Sequence, residues 1–239
     1  MKLKRSMDRK VTNAVSPNGK TPTIANTFGL PAGKAFSCPG ATATCESVCY
    51  AGKLERVYKG VRQVLIHNWE LLKDADQLTM ETMLSEMIED FIKDCEKREA
   101  PKLFRIHWDG DFFNDSYTIA WKNTILKYPA VKFWVYTRVA TAAETLKGIE
   151  NLSLYFSTDK DNKDIAISLN KDSGIRLAYL ADTFAIGQAD LKAMIGKVGA
   201  KCPENKKAIP LIDKEGSACV KCSLCVHNKA DIVFSAKKK

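Results

Sequence analysis

Leu103-Phe104-Arg105-Ile106-His107-Trp108-Asp109-Gly110-Asp111-Phe112-Phe113 is the stretch whose reading decides the fold. Leu103 to Trp108 is short, mostly apolar and bounded by Pro101 and by an Asp-Gly-Asp turn, which predicts a buried strand. Ser116 to Lys127 then shows helical spacing, with Asp115 in position to cap it. The same texture repeats downstream. Strands are expected at Val131 to Thr137, Leu152 to Ser157 and Ile175 to Leu180. They alternate with helices at Ala140 to Ile149, Asp164 to Asn170 and Gln188 to Val198. Strand–helix alternation implies a parallel sheet with right-handed crossovers.

Upstream, Thr21 to Phe28 offers a first strand, and downstream Ile232 to Phe234 a last one. The expected fold is therefore α/β: a single-domain partial or closed β/α barrel with cysteine-rich loops at both ends of the chain. A doubly wound open sheet is the alternative. Val61 to Lys73 and Leu78 to Arg98 read as helices. The second carries Met80, Met83, Met87, Ile88 and Phe91 at a period near 3.6, the spacing of a packed face. Cys95 falls on that face and reads as a structural thiol.

The chain has 239 residues, 45% of them hydrophobic and 27% charged, the profile of a globular domain. Its formal charge is +9. Residues 1–10 carry +4 and residues 237–239 carry +3, leaving +2 for the other 226. The expected organisation is a basic flexible arm (1–20), one barrel-like α/β domain (21–236) and a basic tail (237–239). Such ends allow weak, non-specific contact with nucleic acid. The most apolar run, Ile175 to Ile186, is broken by Arg176 and Asp182, so no membrane span is expected. No apolar core follows the basic start, and the cytoplasm is the expected compartment.

Eight cysteines in such a chain call for metal or redox chemistry, because disulfides are disfavoured in a reducing compartment. Seven fall into two groups. Cys219, Cys222 and Cys225 form C-x2-C-x2-C, and Cys202 is followed by Pro203. Three thiolates two residues apart, with a remote Cys-Pro, resemble the way ferredoxins wrap a cluster. Zinc, which prefers separated pairs, is the alternative. Cys38, Cys45 and Cys49 form C-x6-C-x3-C on a Gly/Pro-rich loop. Three ligands there leave one iron of a cubane open to substrate or S-adenosylmethionine. In a closed barrel the first and last strands are neighbours, so the two groups would meet. One or two 4Fe-4S clusters, or one larger shared cluster, are the expected cofactors.

Polar strand ends supply the rest of an expected site, because loops after parallel strands form ligand pockets. Asp109 or Asp111 suits an amine. Arg138 suits a carboxylate or phosphate, and His107 acid–base work. Plainer alternatives are a turn for the Asp pair, an internal ion pair for Arg138 and a core position for His107. His227 is a weaker candidate ligand beside Cys225.

These residues carry two resemblances. Ser37-Cys38-Pro39-Gly40-Ala41, Cys45, Cys49-Tyr50-Ala51, the stretch Arg105 to Phe113, Trp121, Tyr136-Thr137 and the closing Cys219 to Cys225 resemble the phage and bacterial family called gene product 88, over about residues 20–228. That resemblance implies a phage or prophage origin and hence the host cytoplasm. A looser resemblance is to radical S-adenosylmethionine enzymes. They pair a three-cysteine loop with a β/α barrel, and some add a C-terminal auxiliary cluster. Their usual spacing is C-x3-C-x2-C, from which this loop departs. The resemblance implies redox or radical chemistry on a small molecule or nucleotide. The other expectation is a non-enzymatic iron–sulfur or zinc protein that binds nucleic acid or a host protein.

Overall fold

The computed structural model describes residues 1–237, so Lys238 and Lys239 of the expected tail lie outside it. A short strand β1 (Thr27–Gly29) is followed by four helices: α1 (Ala43–Val48), α2 (Tyr50–Val57), α3 (Lys59–Leu72) and α4 (Gln77–Lys97). The alternating region then runs β2 (Leu103–Asp109), α5 (Asp115–Lys127), β3 (Lys132–Thr137), α6 (Ala140–Leu146), β4 (Leu152–Thr158), α7 (Lys163–Ser173), β5 (Arg176–Ala181), α8 (Phe184–Ile195) and β6 (Ala200–Lys201). A small hairpin of β7 (Ile212–Asp213) and β8 (Gly216–Ser217), a short helix α9 (Ala218–Cys222) and β9 (Ile232–Ser235) complete it.

Seven strands make one sheet in the order β1-β2-β3-β4-β5-β9-β6, and every pair in it is parallel. The α/β class and parallel sheet match the expectation. Closure does not. The last strand inserts between β5 and β6, and no pairing joins β6 to β1 among the described residues. The first and last strands are therefore not neighbours, and the cysteine groups cannot meet by that route.

Both faces of the sheet are covered, which is why its strands read as nearly continuous apolar runs. Phe104, Ile106, Phe133, Val135, Leu154, Phe156, Leu177 and Tyr179 face the main core, packed with residues of α4 to α8. Helix α4 buries Met80, Leu84, Met87, Ile88, Phe91 and Cys95 there, and Asp76 caps it by accepting from Thr79 N at 2.8 Å. Removing such a cap costs about 1 kcal/mol. Helix α5 starts one residue earlier than expected, with Asn114 as its cap.

The opposite face holds Arg105, Trp134, Tyr136, Ser153, Tyr155 and Ala178. No long helix covers it. The segments following β8 and preceding β9 do, together with the N-terminal residues. Val11, Trp134 and Val226 form one small core, and Tyr155, Ala178 and Ile232 another. Ser153 Oγ donates to Val226 O at 2.8 Å, Tyr155 Oη to Ala230 O at 3.1 Å, and Cys219 N to Lys10 O at 2.8 Å. Residues 1–20, read from sequence as a loose arm, are thus part of the fold. Leu3, Val11 and Thr12 are buried, and Ser6 bridges Thr27.

Candidate cysteine-rich site

The loop after β2 turns at Gly110, where φ is +82° and a Cβ would lie 2.5 Å from Ser37 Oγ. A Cβ on Gly40 would lie 2.5 Å from Arg138 O. These two approaches, open only to glycine, seat the Cys38 loop directly on the ends of β2 and β3. Further along, Thr42 Oγ1 donates to Asp159 Oδ2 at 2.6 Å and Thr44 N to Asp161 Oδ2 at 2.9 Å, which ties α1 to the end of β4.

Under this loop the polar strand ends sort into two pairs. Asp111 is a clamp: it accepts from Phe112 N at 2.8 Å, Thr137 Oγ1 at 2.6 Å and Arg138 N at 2.8 Å. Burial pushes its carboxyl up to about 6 despite these donors. The Arg138 side chain does not turn to Asp111. Its Nη1 lies 2.8 Å from Asp159 Oδ2, a buried ion pair. Asp109 accepts from Gly110 N at 2.9 Å and leaves Oδ2 without a partner. Burial, and then the neighbouring carboxyl of Glu55, push Asp109 up to about 8.

Glu55 was not legible as a site residue. It is 4% exposed, accepts from Ala32 N at 2.7 Å and sits 3.4 Å from Arg62 Nη1. The available signal was its place one helical turn after buried Ala51, an acid on the apolar face of α2.

His107 is not with this group. Its φ of +58° breaks the alternation of β2, and Thr27 and Gly29 of β1 pair Arg105 and Asp109, two residues apart against four. This bulge turns the imidazole to the helix side, against Phe28, Phe112 and Trp121, with Nε2 2.8 Å from Tyr117 Oη. Burial, reinforced by the charge of Arg105, pushes it down to about 3, so it is neutral at pH 7.

None of the eight cysteines is in a disulfide. Cys38 lies under Asp111 and Asp109: burial first, and then these carboxylates, push its thiol far up. Cys45 is raised by burial and partly relieved by Arg138. Cys49 caps α2, its Sγ accepting from Gly52 N at 3.3 Å. Cys95 is fully buried in the helical core, away from both groups.

The C-terminal four converge on the second face of the sheet. Cys202 and Cys225 pack with Tyr136, Tyr155 and Phe234, and Cys219 and Cys225 with Val11, Trp134 and Tyr136. Each of Cys202, Cys219 and Cys225 feels others of the four electrostatically. Burial pushes Cys219 up to about 12, with Lys10 and Arg105 pulling the other way. Cys225 reaches about 12 by burial, eased by a hydrogen bond from Tyr136. His227 is exposed. Among the described residues no three His, Cys, Asp or Glu side chains come close enough together to hold a single metal ion.

Two cations stand beside Cys219, and one of them, Arg105, beside Cys225 as well. Arg105 is 9% exposed, its guanidinium lies 5.4 Å from the Tyr136 ring, and its Nε has no partner. Its one carboxylate is Asp8, at 3.9 Å. Lys10 Nζ sits 4.3 Å from the ring of Tyr50, next in sequence to Cys49. A charged side chain in an apolar strand, Arg105, was visible in the sequence, but the partner that Lys10 makes of it was not.

Fold and site define an α/β protein of one parallel sheet, with two groups of free cysteines placed around buried cations and strand-end carboxylates. The chain belongs to the gene product 88 family, whose model matches residues 1–228. It is 55% identical to the "Gene 88 protein" of Mycobacterium phage L5 over 243 aligned positions, covering 100% of this chain and 99% of that one. With the "Gene 88 protein" of Mycobacterium phage D29 it shares 53% identity over 99% of each chain. No solved structure matches it. No helix among the described residues is long and apolar enough to cross a membrane.

Proposed function

We propose that this is an iron–sulfur protein of the phage-infected host cytoplasm, with Cys202, Cys219, Cys222 and Cys225 holding a 4Fe-4S cluster. One observation carries the reading: Cys219 lies beside both Arg105 and Lys10 and Cys225 beside Arg105, and among the described residues only Asp8 offers those cations a carboxylate. Buried charge without a partner is costly. A thiolate-bound cluster is anionic and would answer both cations at once, whereas neutral thiols leave them unanswered. The spacing C-x2-C-x2-C with a remote Cys-Pro fits the same group.

Cys38, Cys45 and Cys49 would hold a second cluster with one iron open. When bound, such a group supplies one-electron redox chemistry. The chain's own residues then define the surroundings. Arg138, held by Asp159, presents a cation at the strand ends, and Asp109 with Glu55 offers a shared proton. This set suits a small zwitterionic or nucleotide ligand, with S-adenosylmethionine among the candidates, and a radical-SAM-like barrel is the architecture it would extend.

Anaerobic purification followed by iron, sulfide and zinc counting tests the proposal. A brown protein absorbing near ~400 nm is expected. It should hold about eight irons, falling by about half in Cys222→Ala and in Cys45→Ala. A colourless protein, or one with a single zinc and no sulfide, would overturn it.

A further inference from the structure

Away from the cysteines, α2 and α3 meet at Tyr58 and enclose an open cleft of about 710 Å3. Its walls carry Arg56, Lys59 and Arg62, with Gln63 and His67 further along α3 and Glu55 at its floor. Lys53, Arg56, Lys59 and Arg62 recur every third residue, and all four are exposed. Only Arg62 has a carboxylate within 4 Å among the described residues, and that carboxylate, Glu55, is buried. Beside this row stand two large exposed apolar side chains, Val57 at 69% and Tyr58 at 56%.

Unpaired cations on a protein surface are ordinarily interleaved with acids, which keeps the local field small. Here four consecutive charged positions on the exposed side are all basic, and an unstacked aromatic ring marks the bend between the helices. A row of cations that tracks a backbone, joined to an aromatic platform, is the chemistry that holds a single-stranded nucleic acid. The near-neutral charge of the body, taken as a whole, conceals this concentration. The terminal lysines are not needed for it.

We propose that the exposed α2–α3 surface at and beside this cleft binds single-stranded nucleic acid, with Arg56 and Lys59 of the cleft and Lys53 beyond it on successive phosphates and Tyr58, at the bend, stacking on a base. The inference goes beyond the cluster proposal and does not depend on what the cysteines hold. It does place a polynucleotide next to the helix that Cys49 caps.

Fluorescence anisotropy on the anaerobically purified full chain tests it, with labelled 20-nucleotide oligo(dT), oligo(U) and a blunt duplex as probes. Three phosphate contacts give log–log salt slopes of about −2 for a single strand. The double variant Arg56→Glu/Lys59→Glu should weaken binding at least ~10-fold at low salt. Tyr58→Ala should weaken it at least ~5-fold, the lower end of one lost base stack. Deleting residues 237–239 should leave affinity within about twofold. Tighter binding of the DNA or the RNA probe supports the proposal and names the strand it takes. No binding at low salt, full affinity in the charge-reversed protein, or loss on tail deletion would overturn it. So would duplex binding as tight as single-strand binding together with an unaffected Tyr58→Ala. Iron content and thermal melting report separately on the cluster and the fold. Arg56→Gln/Lys59→Gln carries the test if charge reversal disturbs either.

Discussion

The two cysteine groups sit in opposite electrostatic surroundings. Cys38 lies under Asp109 and Asp111, whose charges oppose a thiolate, while Cys219 lies beside Lys10 and Arg105, whose charges favour one. Both thiols are raised by burial, so the difference lies in what each site does with negative charge. At the C-terminal site the neighbouring cations favour negative charge on Cys219. At the N-terminal site burial raises Asp109 to about 8 and Asp111 to about 6, so a bound cation or proton there changes the local balance. A permanent electron-transfer group suits the first, and a site of turnover suits the second.

The comparison breaks most visibly at Arg105. On the proposed reading, Arg105→Met should abolish the C-terminal cluster while sparing the N-terminal one, leaving about half the iron, and should cost about 2 kcal/mol by removing its contacts with Asp8 and the Tyr136 ring. Iron counting and chemical unfolding check both parts. Equal iron loss from the two sites would collapse the distinction.

Gly110→Ala acts on the other side. A Cβ there meets Ser37 Oγ and Leu30 at a φ of +82°. The expected cost is about 2 kcal/mol, and the Cys38 loop should lift, so that N-terminal iron is lost first. Spectra recorded in Cys45→Ala and Cys222→Ala backgrounds would tell which site has changed.

Asp109→Asn sharpens the comparison through pH. A carboxyl raised from 3.8 to about 8 in the folded state binds its proton more tightly there than in the unfolded chain. Its contribution to stability is therefore full below about pH 4 and is lost as pH rises through about 8. Asp109→Asn should flatten that fall and gain on the order of 2 kcal/mol at pH 8.5 relative to pH 5. Unfolding midpoints over that range provide the measurement, and parallel profiles for the two proteins would remove Asp109 as the source.

The smallest effect is expected at Tyr136→Phe, which removes the hydroxyl that eases the Cys225 thiol. A loss of about 1 kcal/mol, or about 2–4 °C in melting temperature, should appear without loss of iron.

The sheet was legible because β2, β3, β4 and β5 are apolar runs bounded by turn residues. Their order in space was not fully so. Closure hung on β9, whose four residues pair only with distant strands, and on β6, whose two residues carry no periodicity at all. The N-terminal segment was misread because its anchors, Leu3 and Val11, are sparse among charges that suggest solvent. His107 illustrates a different limit. Strict alternation puts it on the face of Arg105, and only the bulge opposite β1 sends it to Tyr117. The placement of Asp109, Asp111 and Arg138 at strand ends was legible from the apolar runs that precede them. Glu55 and Lys10 were not, since each gains its meaning from a neighbour remote in sequence.

Ser217 Oγ donates to Thr12 O across 205 positions, and Cys219 N donates to Lys10 O close by. The floor beneath the quartet is thus among the first parts of the chain to be synthesised and its lid among the late ones. A nascent chain can pair β1 to β5 and bury the helical layer while this compartment is still half-built. On the proposed reading, metal delivery there has to wait for a nearly finished polypeptide, and a chain that stalls before Ser217 would leave Trp134, Tyr136 and Tyr155 bare as a sticky, cation-bearing surface.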